Sequence, residues 1–359
     1  MRRTLIVEAV SLRDFRSYAA LELDLSPGLV LVVGANGAGK TNLLESFHVG
    51  TQGFSPRTRS EVQLIRFGAS AARVGLRGSC SGTPVETEVV MAPPEGKRAK
   101  LNGARLRAAE QLRGEIATLV FTPDRLAIVK GGPVVRRAYF DRALGRLWPA
   151  KASLSAEYAA AVGQRNAALR RVSSGLSSVS AVAPWTEQVV TLGTALTEGR
   201  RDVIAALAEP FGARAGVLGL EEACLAYDAE PPTVAALDER LDRDLDRGTT
   251  GAGPHLEDIA VFAGRRDLRS FGSQGEQRIA VLSLLLAEAR LIAERHGVPP
   301  LLLLDDVLSE LDEGRRRALA AQLPEAGQTV VTATSASALP EGVSAALVAE
   351  VTPGRVSVR

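Results

Sequence analysis

A glycine-rich segment near the start of the chain carries the residue types that bind phosphate. Its spacing fits G-x-x-x-x-G-K-[ST]. Closely spaced glycines permit a tight turn whose backbone N–H groups point inward and cradle phosphate oxygens. In this pattern the lysine reaches the β- and γ-phosphates of a nucleotide, and the threonine hydroxyl holds Mg²⁺. We call this segment the phosphate loop, and its members are Gly34, Ala35, Asn36, Gly37, Ala38, Gly39, Lys40 and Thr41.

The flanks of the phosphate loop have the character that this chemistry requires. Leu29–Val33 is a run of five apolar residues, three of them β-branched, which predicts a strand buried on both faces. After the loop, Leu43, Leu44 and Phe47 recur at helical spacing, and the N-terminus of that helix would add partial positive charge. A turn that only joined a strand to a helix would not need the lysine and the threonine. We therefore predict a site for ATP with Mg²⁺.

Two adjacent carboxylates follow a second strongly apolar strand, Leu301–Leu304. An aspartate at the end of such a strand binds Mg²⁺ in phosphate-loop enzymes, so Asp305 is a predicted metal ligand. Asp306 would orient or deprotonate the attacking water, which makes it, with Lys40, a predicted catalytic residue. The alternative is that the two acids only cap a helix. The next strand ends at Thr332, whose hydroxyl would either sense the γ-phosphate or be structural.

The segment Ser273-Gln274-Gly275-Glu276, here called the serine–glycine segment, precedes a long apolar helix. Ser273 and Glu276 have the spacing of a capping box, which alone would explain both residues. A capping box does not explain Gly275 in the first helical turn. A glycine there lets another molecule approach the helix end, and that end attracts anions. We therefore predict that Ser273 and Gly275 contact phosphate.

Composition limits the class of protein. The chain has 359 residues, of which 46% are hydrophobic, as in soluble globular proteins with a sizeable core. The net charge of +2 is too small to indicate an anionic partner by itself. Cys80 and Cys224 match no metal spacing and favour a reducing, cytoplasmic location. No apolar run approaches the ~20 residues that span a bilayer, so we expect no membrane partner.

The order of elements predicts an α/β fold interrupted by helices. Strand patterns give way to helical periodicity after about residue 125. Amphipathic helices joined by the serine-rich segment 173–183 would form an antiparallel arm, although a compact helical subdomain fits the same periodicity. Residues 217–228 are predicted to form a strand, and residues 233–246 a helix whose many charges face solvent.

Taken in order, these features resemble the ABC-type ATPases of the SMC and RecF group. Within that group the chain is similar to the RecF family of bacterial recombinational repair proteins. Three segments of this chain resemble stretches that are typical of that family: Phe15–Tyr18, Pro123–Asp141 and Gly253–His255. The resemblance implies an ATPase head, with a mixed sheet around the phosphate loop and a helical arm inserted between its two halves. The predicted segments are 1–125 for the N-terminal half of the head, 126–230 for the arm and 231–359 for the C-terminal half.

The chain departs from the family pattern at several positions. Arg125 stands where an acid is usual, Leu256–Asp258 replaces a more basic and acidic run, and Glu276 replaces a glutamine. The glutamine that usually assists the metal has no identified counterpart. His255 is expected to be positional rather than catalytic.

The resemblance also implies partners and a cycle. The phosphate loop of one copy would face the serine–glycine segment of another, so that a homodimer encloses two ATP molecules until slow hydrolysis releases it. Such proteins bind double-stranded DNA near gaps and at single/double-strand junctions, and with RecO and RecR they help to load RecA. Arginine pairs that suit a phosphate backbone are Arg57/Arg59, Arg136/Arg137, Arg170/Arg171 and Arg200/Arg201.

Two other functions fit part of the pattern. The ATPase subunit of a membrane transporter would share the phosphate loop and the paired aspartates, but not the helical insertion or the Pro123–Asp141 stretch. A scaffold in which ATP gates assembly without significant turnover would share the composite site. Asp306 argues against the scaffold, because an acid at that place implies activation of water.

Overall fold

The computed structural model describes residues 5–80, 82–93, 95–324 and 326–359. Contacts divide the chain into two compact units. The phosphate-loop unit comprises the residues up to Leu126, Arg214–Gly219 and Val281–Arg359. The helical unit comprises Ala127–Ala213 and Leu220–Ala280. The predicted boundary at residue 230 therefore falls inside the helical unit, because the residues after 220 pack with the helices.

The described residues form strands and helices in the following order. The strands are β1 (Leu5–Phe15), β2 (Tyr18–Asp24), β3 (Gly28–Val33), β4 (Ala72–Cys80), β5 (Thr83–Ala92), β6 (Gly96–Leu101), β7 (Ala104–Arg105), β8 (Thr118–Phe121), β9 (Ala223–Ala226), β10 (Ala260–Ala263), β11 (Arg266–Asp267), β12 (Leu301–Leu304), β13 (Gln328–Ala333), β14 (Leu347–Thr352) and β15 (Arg355–Val358). The α-helices are α1 (Lys40–Gln52), α2 (Leu112–Glu115), α3 (Ala127–Lys130), α4 (Pro133–Leu147), α5 (Leu154–Ser173), α6 (Ala183–Val217), α7 (Val234–Asp238), α8 (Leu241–Arg247), α9 (Leu268–Phe271), α10 (Gln274–His296) and α11 (Glu313–Ala320).

A mixed six-stranded sheet in the phosphate-loop unit has the order β15-β14-β3-β13-β12-β8. All of its neighbouring pairs are parallel except β14 with β15. The strands β8, β12 and β13 are buried along their whole length, and for β12 this agrees with its run of four leucines. Because the strands run in the same direction, the segments that follow β3, β8, β12 and β13 leave the sheet at one edge.

A second, antiparallel sheet in the same unit has the order β2-β1-β4-β5-β6-β7. Burial alternates along β1 and β4, so one face of this sheet is covered and the other is not. The helix α1 contacts strands of both sheets, and its buried Leu43, Leu44 and Phe47 belong to the core that unites them. The phosphate-loop helix is therefore held from both sides.

The helical unit contains α4, α5 and most of α6, together with a three-stranded sheet in the order β11-β10-β9. The strand predicted over 217–228 is wrong at its start, because α6 continues to Val217 and β9 covers only Ala223–Ala226. The helix predicted over 233–246 is two short helices, α7 and α8. Within the described residues, no helix combines the length and apolar character that a bilayer-spanning segment needs.

Candidate nucleotide-binding site

The phosphate loop joins β3 to α1, and its glycines are required by close contacts. A Cβ atom on Gly34 would lie 2.3 Å from the carbonyl oxygen of Val351 in β14, so a larger residue would displace the loop. Gly39 has a φ of +117°, which favours glycine, and caps α1. A Cβ atom on Gly39 would also lie 3.0 Å from Tyr18 Oη. Tyr18 donates a hydrogen bond to the Gly39 carbonyl oxygen at 3.1 Å, which fixes the end of the loop.

Lys40 lies against the inside of the phosphate loop. Its Nζ donates to the carbonyl oxygens of Gly34 at 2.8 Å and of Ala35 at 3.0 Å. These bonds satisfy an ammonium group whose residue is only 7% exposed. Ala35, Asn36 and Gly37 are exposed on the outside of the turn. A phosphate group placed on the loop would therefore meet exposed backbone, a nearby ammonium group and the positive end of α1.

Residues from one helix and two strands converge beside the loop. Thr41 Oγ1 donates to Asp305 Oδ1 at 3.0 Å, and the same oxygen accepts from Thr332 Oγ1 at 2.8 Å. Thr332 Oγ1 also accepts from the backbone N–H of Asp306 at 2.8 Å. Asp305 and Thr332 meet because of the register of β12 and β13. Leu304 pairs with Val331, so the residues that follow them, Asp305 and Thr332, lie side by side. The two predicted metal ligands, Thr41 and Asp305, are thus in direct contact, and Thr332 orients the carboxylate.

Asp306 has a strained backbone and an unpartnered carboxylate oxygen, both of which are common at active sites. Its φ of +50° lies in the left-handed region, which costs energy for a residue other than glycine. Its Oδ1 atom is buried and has no hydrogen-bond partner among the described residues. A buried polar atom without a partner costs about 1–3 kcal/mol. That oxygen is available to accept a hydrogen bond from a water molecule, as the predicted role requires.

The oxygen donors of the site fit Mg²⁺ in the presence of phosphate. Asp305 Oδ1 accepts both hydroxyl hydrogen bonds, and Oδ2 accepts none from the part of the chain that the structure describes. Burial raises the pKa of Asp305, and the hydrogen bonds from Thr332 and Thr41 act in the opposite direction. Mg²⁺ prefers oxygen ligands and usually keeps several waters beside phosphate oxygens. Residues 5–80, 82–93, 95–324 and 326–359 contain no group of three or more His, Cys, Asp and Glu side chains that could hold a metal ion.

The serine–glycine segment belongs to the helical unit and begins α10. Ser273 Oγ accepts from the backbone N–H of Glu276 at 3.2 Å, and the Glu276 carboxylate accepts from the backbone N–H of Ser273 at 2.8 Å. The predicted capping box is therefore present. Gly275 is exposed, and a Cβ atom there would meet nothing closer than Ser273 Oγ at 3.9 Å. Neither backbone strain nor internal packing requires this glycine, which leaves the space above it open to another molecule.

Comparison with known proteins identifies the family. The model of the RecF/RecN/SMC N-terminal domain matches residues 6–355. A DNA replication and repair protein RecF from Heliobacterium modesticaldum is 36% identical over 368 residues, which cover 98% of each chain. The RecF protein of Anaeromyxobacter dehalogenans is 40% identical over 331 residues, which cover 87% of each chain. This chain belongs to the RecF family.

Solved structures agree with this assignment. The structure of the recombination mediator protein RecF-ATP in the RecFOR pathway has a TM-score of 0.86 and 25% identity, and the match covers 100% of this chain and 99% of that one. The Smc head domain of Pyrococcus furiosus, at 16% identity and a TM-score of 0.60, shares the fold. The predicted α/β class, an ABC-type ATPase head with a helical insertion, is confirmed.

The predicted arginine pairs have different surroundings in this RecF family member. Arg136 is buried and its guanidinium group binds both oxygens of Asp258, at 2.7 and 2.5 Å. Burial opposes ionisation of that carboxyl group, but Arg136 outweighs it and lowers the pKa of Asp258. Arg200 is buried and binds Asp141 in the same two-point manner, at 2.7 and 3.0 Å. The interpretation of these two arginines as contacts for a phosphate backbone is wrong, because neither is at the surface.

The loop around Arg57 is tied to α1 by a buried carboxylate. Glu45 in α1 is fully buried and accepts from Arg16 Nε at 2.8 Å and Nη2 at 2.9 Å. The same carboxylate accepts from Ser55 Oγ at 2.5 Å and lies 3.4 Å from Arg57 Nη1. Glu45 was not predicted from the sequence, although its main partner, Arg16, lies in the family-like stretch Phe15–Tyr18.

His255 holds a loop of the helical unit in place. Tyr158 Oη lies 2.7 Å from Nδ1, and Nε2 lies 3.0 Å from the carbonyl oxygen of Thr250. Because a carbonyl oxygen can only accept, Nε2 carries the proton, and the ring accepts from tyrosine as a neutral imidazole. Burial lowers the pKa of His255, and nearby Arg137 and Arg200 act in the same direction. These contacts fit a positional role.

Proposed function

We propose that this chain is an ATP-dependent DNA-binding protein of recombinational repair. The observation that carries the proposal is the contact of Thr41 with Asp305 at the phosphate loop, with Thr332 orienting the carboxylate. Relatives of 36% and 40% identity are named DNA replication and repair proteins, and a solved relative holds ATP in the RecFOR pathway. By this likeness, the protein binds double-stranded DNA near gaps and at single/double-strand junctions. With RecR and RecO it helps to load the RecA recombinase.

ATP binding is proposed to join two copies of the chain. The phosphate loop of one copy holds the triphosphate, and Ser273 and Gly275 of the second copy cover it. Open space above Gly275 supports this arrangement, since a phosphate group can approach the N-terminus of α10 without meeting a side chain. An isologous dimer then contains two equivalent sites. Because ATP makes contacts in the closed dimer that a single copy cannot supply, it binds the dimer more tightly, and its binding free energy favours the closed dimer.

Weak, DNA-stimulated hydrolysis is proposed to end this state. Lys40 neutralises charge on the β- and γ-phosphates, and Thr41 and Asp305 hold Mg²⁺, which when bound offsets further phosphate charge. Asp306 orients the attacking water through its unpartnered oxygen and accepts a proton from it. Loss of the γ-phosphate removes the group that both copies share, and the dimer opens.

The test is sedimentation velocity with and without ATP and Mg²⁺, combined with binding to duplex DNA. The wild-type chain is expected to dimerise with ATP and to bind duplex more tightly in that state. Lys40→Met removes the ammonium group and should abolish both responses. Ser273→Arg should keep ATP binding to the phosphate loop but fail to dimerise, because the long side chain occupies the shared space.

A control variant and two contrary outcomes test the phosphate loop and the composite site separately. Lys151→Met changes a partly exposed lysine of the helical unit, is the control and should dimerise like wild type. Normal ATP-driven dimerisation of Lys40→Met would contradict the role of the phosphate loop. Normal dimerisation of Ser273→Arg would contradict the composite site while leaving ATP binding intact.

A further inference from the structure

The strand β8 ends beside the paired carboxylates. It runs parallel to β12 with Phe121 opposite Leu304, and the backbone N–H of Asp305 donates to the Phe121 carbonyl oxygen at 2.9 Å. The next residue after β8 is Thr122. Register therefore places Thr122, Asp305 and Thr332 side by side on three neighbouring strand ends. Neighbouring strands lie about 4.8 Å apart, and residues opposite one another point to the same face of a sheet.

Within the described part of the chain, the hydroxyl group of Thr122 is the member of this row that has no hydrogen-bond partner. Thr41 and Thr332 both donate to Asp305 Oδ1. Thr122 is only 2% exposed, and its Oγ1 atom makes no hydrogen bond to any residue that the structure describes. A threonine hydroxyl can donate one hydrogen bond and accept two. A buried hydroxyl group without a hydrogen bond lowers the stability of the fold, unless a water or ligand forms that hydrogen bond.

We propose that Thr122 is a positioning residue that holds a water molecule of the Mg²⁺ hydration shell beside Asp305. Mg²⁺ keeps several of its waters in nucleotide sites, and each water must be oriented by a neighbouring acceptor or donor. Register places Thr122 next to Asp305 at the same edge of the sheet, and its hydroxyl group has no partner among the described residues that would prevent it from binding a water. This inference rests on the proposed function, since it needs Mg²⁺ and ATP at the phosphate loop.

The same strand supplies a control for the experiment. Thr118 lies at the start of β8, is 4% exposed and has an Oγ1 atom that also lacks a partner in the described part of the chain. It stands at the opposite end of the strand from Asp305. Thr118→Val removes a hydroxyl group at the start of β8, far from the site, and Thr122→Val removes the same group directly after β8, beside Asp305.

The experiment measures three quantities in the full-length chain: the melting temperature without nucleotide, the Mg²⁺ concentration for half-maximal ATP-driven dimerisation, and single-turnover hydrolysis of ATP. Valine has nearly the shape of threonine, so both variants should melt at or above the wild-type temperature. Thr122→Val should need several-fold more Mg²⁺ and hydrolyse ATP about 10–100-fold more slowly. Thr118→Val should match wild type in both, and Thr122→Ser should restore both.

Each result bears on the proposal. Wild-type Mg²⁺ dependence and hydrolysis in Thr122→Val would overturn it, as would equal losses in Thr118→Val. Asp306→Asn serves as the reference and should lose hydrolysis while keeping ATP-driven dimerisation. If Asp306→Asn behaves so while Thr122→Val is normal, only the role of Thr122 fails. If wild type shows no ATP-driven dimerisation, the proposed function itself fails.

Discussion

The family usually has glutamine at the position of Glu276. The negative charge of Glu276 is paired with the positive charge of Arg266. Arg266 Nη2 binds its Oε1 at 2.7 Å, and the backbone N–H of Ser273 binds its Oε2 at 2.8 Å. The contact with Arg266 is the larger cause, and together these lower the pKa of Glu276 to about 2. The carboxylate therefore stays ionised at the N-terminus of α10, where the helix dipole favours negative charge. Ser273 Oγ accepts from the backbone of Glu276, so its own proton is free to be donated outward.

Arg266→Gln should raise the pKa of Glu276 towards the usual value of about 4.3. A carboxyl group with a lowered pKa stabilises the fold above its unfolded pKa, and that contribution is lost as pH falls towards 2. Wild-type Glu276 is thus expected to titrate near 2, with no change between pH 5 and 9. The measurement is an NMR titration of the Glu276 side-chain carbonyl carbon. Arg265→Gln, an exposed neighbour, is the control, and an unchanged midpoint in Arg266→Gln would refute the pairing.

Three helices of the helical unit are joined by one buried ion pair. Arg165 in α5 is fully buried, and its Nη1 donates to Asp244 Oδ2 in α8 at 2.7 Å and to Thr250 Oγ1 at 3.1 Å. Its Nε donates to Thr186 Oγ1 in α6 at 3.0 Å. Asp244 was predicted to lie on a solvated face, and this is wrong because the residue is only 1% exposed. These contacts set the relative position of the three helices, because Asp244 of α8 and Thr186 of α6 must both reach the guanidinium group of Arg165 in α5.

Asp244→Ala should lower the free energy of unfolding by about 3–5 kcal/mol, because it leaves the Arg165 charge buried without its partner. Replacing both residues, as Arg165→Met with Asp244→Leu, should recover most of that loss. Urea denaturation followed by circular dichroism measures both values. Asp246→Ala removes an exposed acid from the same helix and should change stability by less than about 0.5 kcal/mol. Equal effects of Asp244→Ala and Asp246→Ala would show that the pair contributes little.

Across the whole molecule, the phosphate loop depends on the far end of the chain. The strand β3 lies between β13 and β14, so both of its neighbours come from the C-terminal part of the chain. The carbonyl oxygen of Val351 in β14 also contacts the position of Gly34. The first nucleotide-binding segment to be synthesised is therefore completed only when the last strands are present.

A chain that ends after residue 344, without β14 and β15, should lose nucleotide binding and tend to aggregate, because one edge of β3 is then unpaired. A chain that ends after residue 353 lacks only β15, keeps β14 on β3 and should still bind ATP. Binding of a fluorescent ATP analogue and the melting temperature of each chain test this. Wild-type affinity in the shorter chain would contradict the dependence of the loop on β14.

Local patterns were enough to predict the parts of the site that are close in sequence. The phosphate loop, its strand and its helix were predicted because the chemistry and both flanks lie within Leu29–Phe47. The row of Thr122, Asp305 and Thr332 was not, because it arises from the register of parallel strands, which residue spacing does not encode. Arg136 and Arg200 were predicted to contact a phosphate backbone, and Asp244 was predicted to face solvent, where most charges lie. Only the packing of segments that are distant in sequence reveals that each of these residues is buried and has an ionic partner.

Substitutions at the exposed Gly275 should give different results in a screen for folding and in a screen for function. Among the described residues, a Cβ atom there would meet nothing closer than 3.9 Å, so alanine would be tolerated by a screen that scores expression or solubility. A screen that scores survival after DNA damage would count the same substitution as loss of function if a second copy must approach this surface. Disagreement between the two screens at one position would thus map an assembly surface without a structure of the assembly.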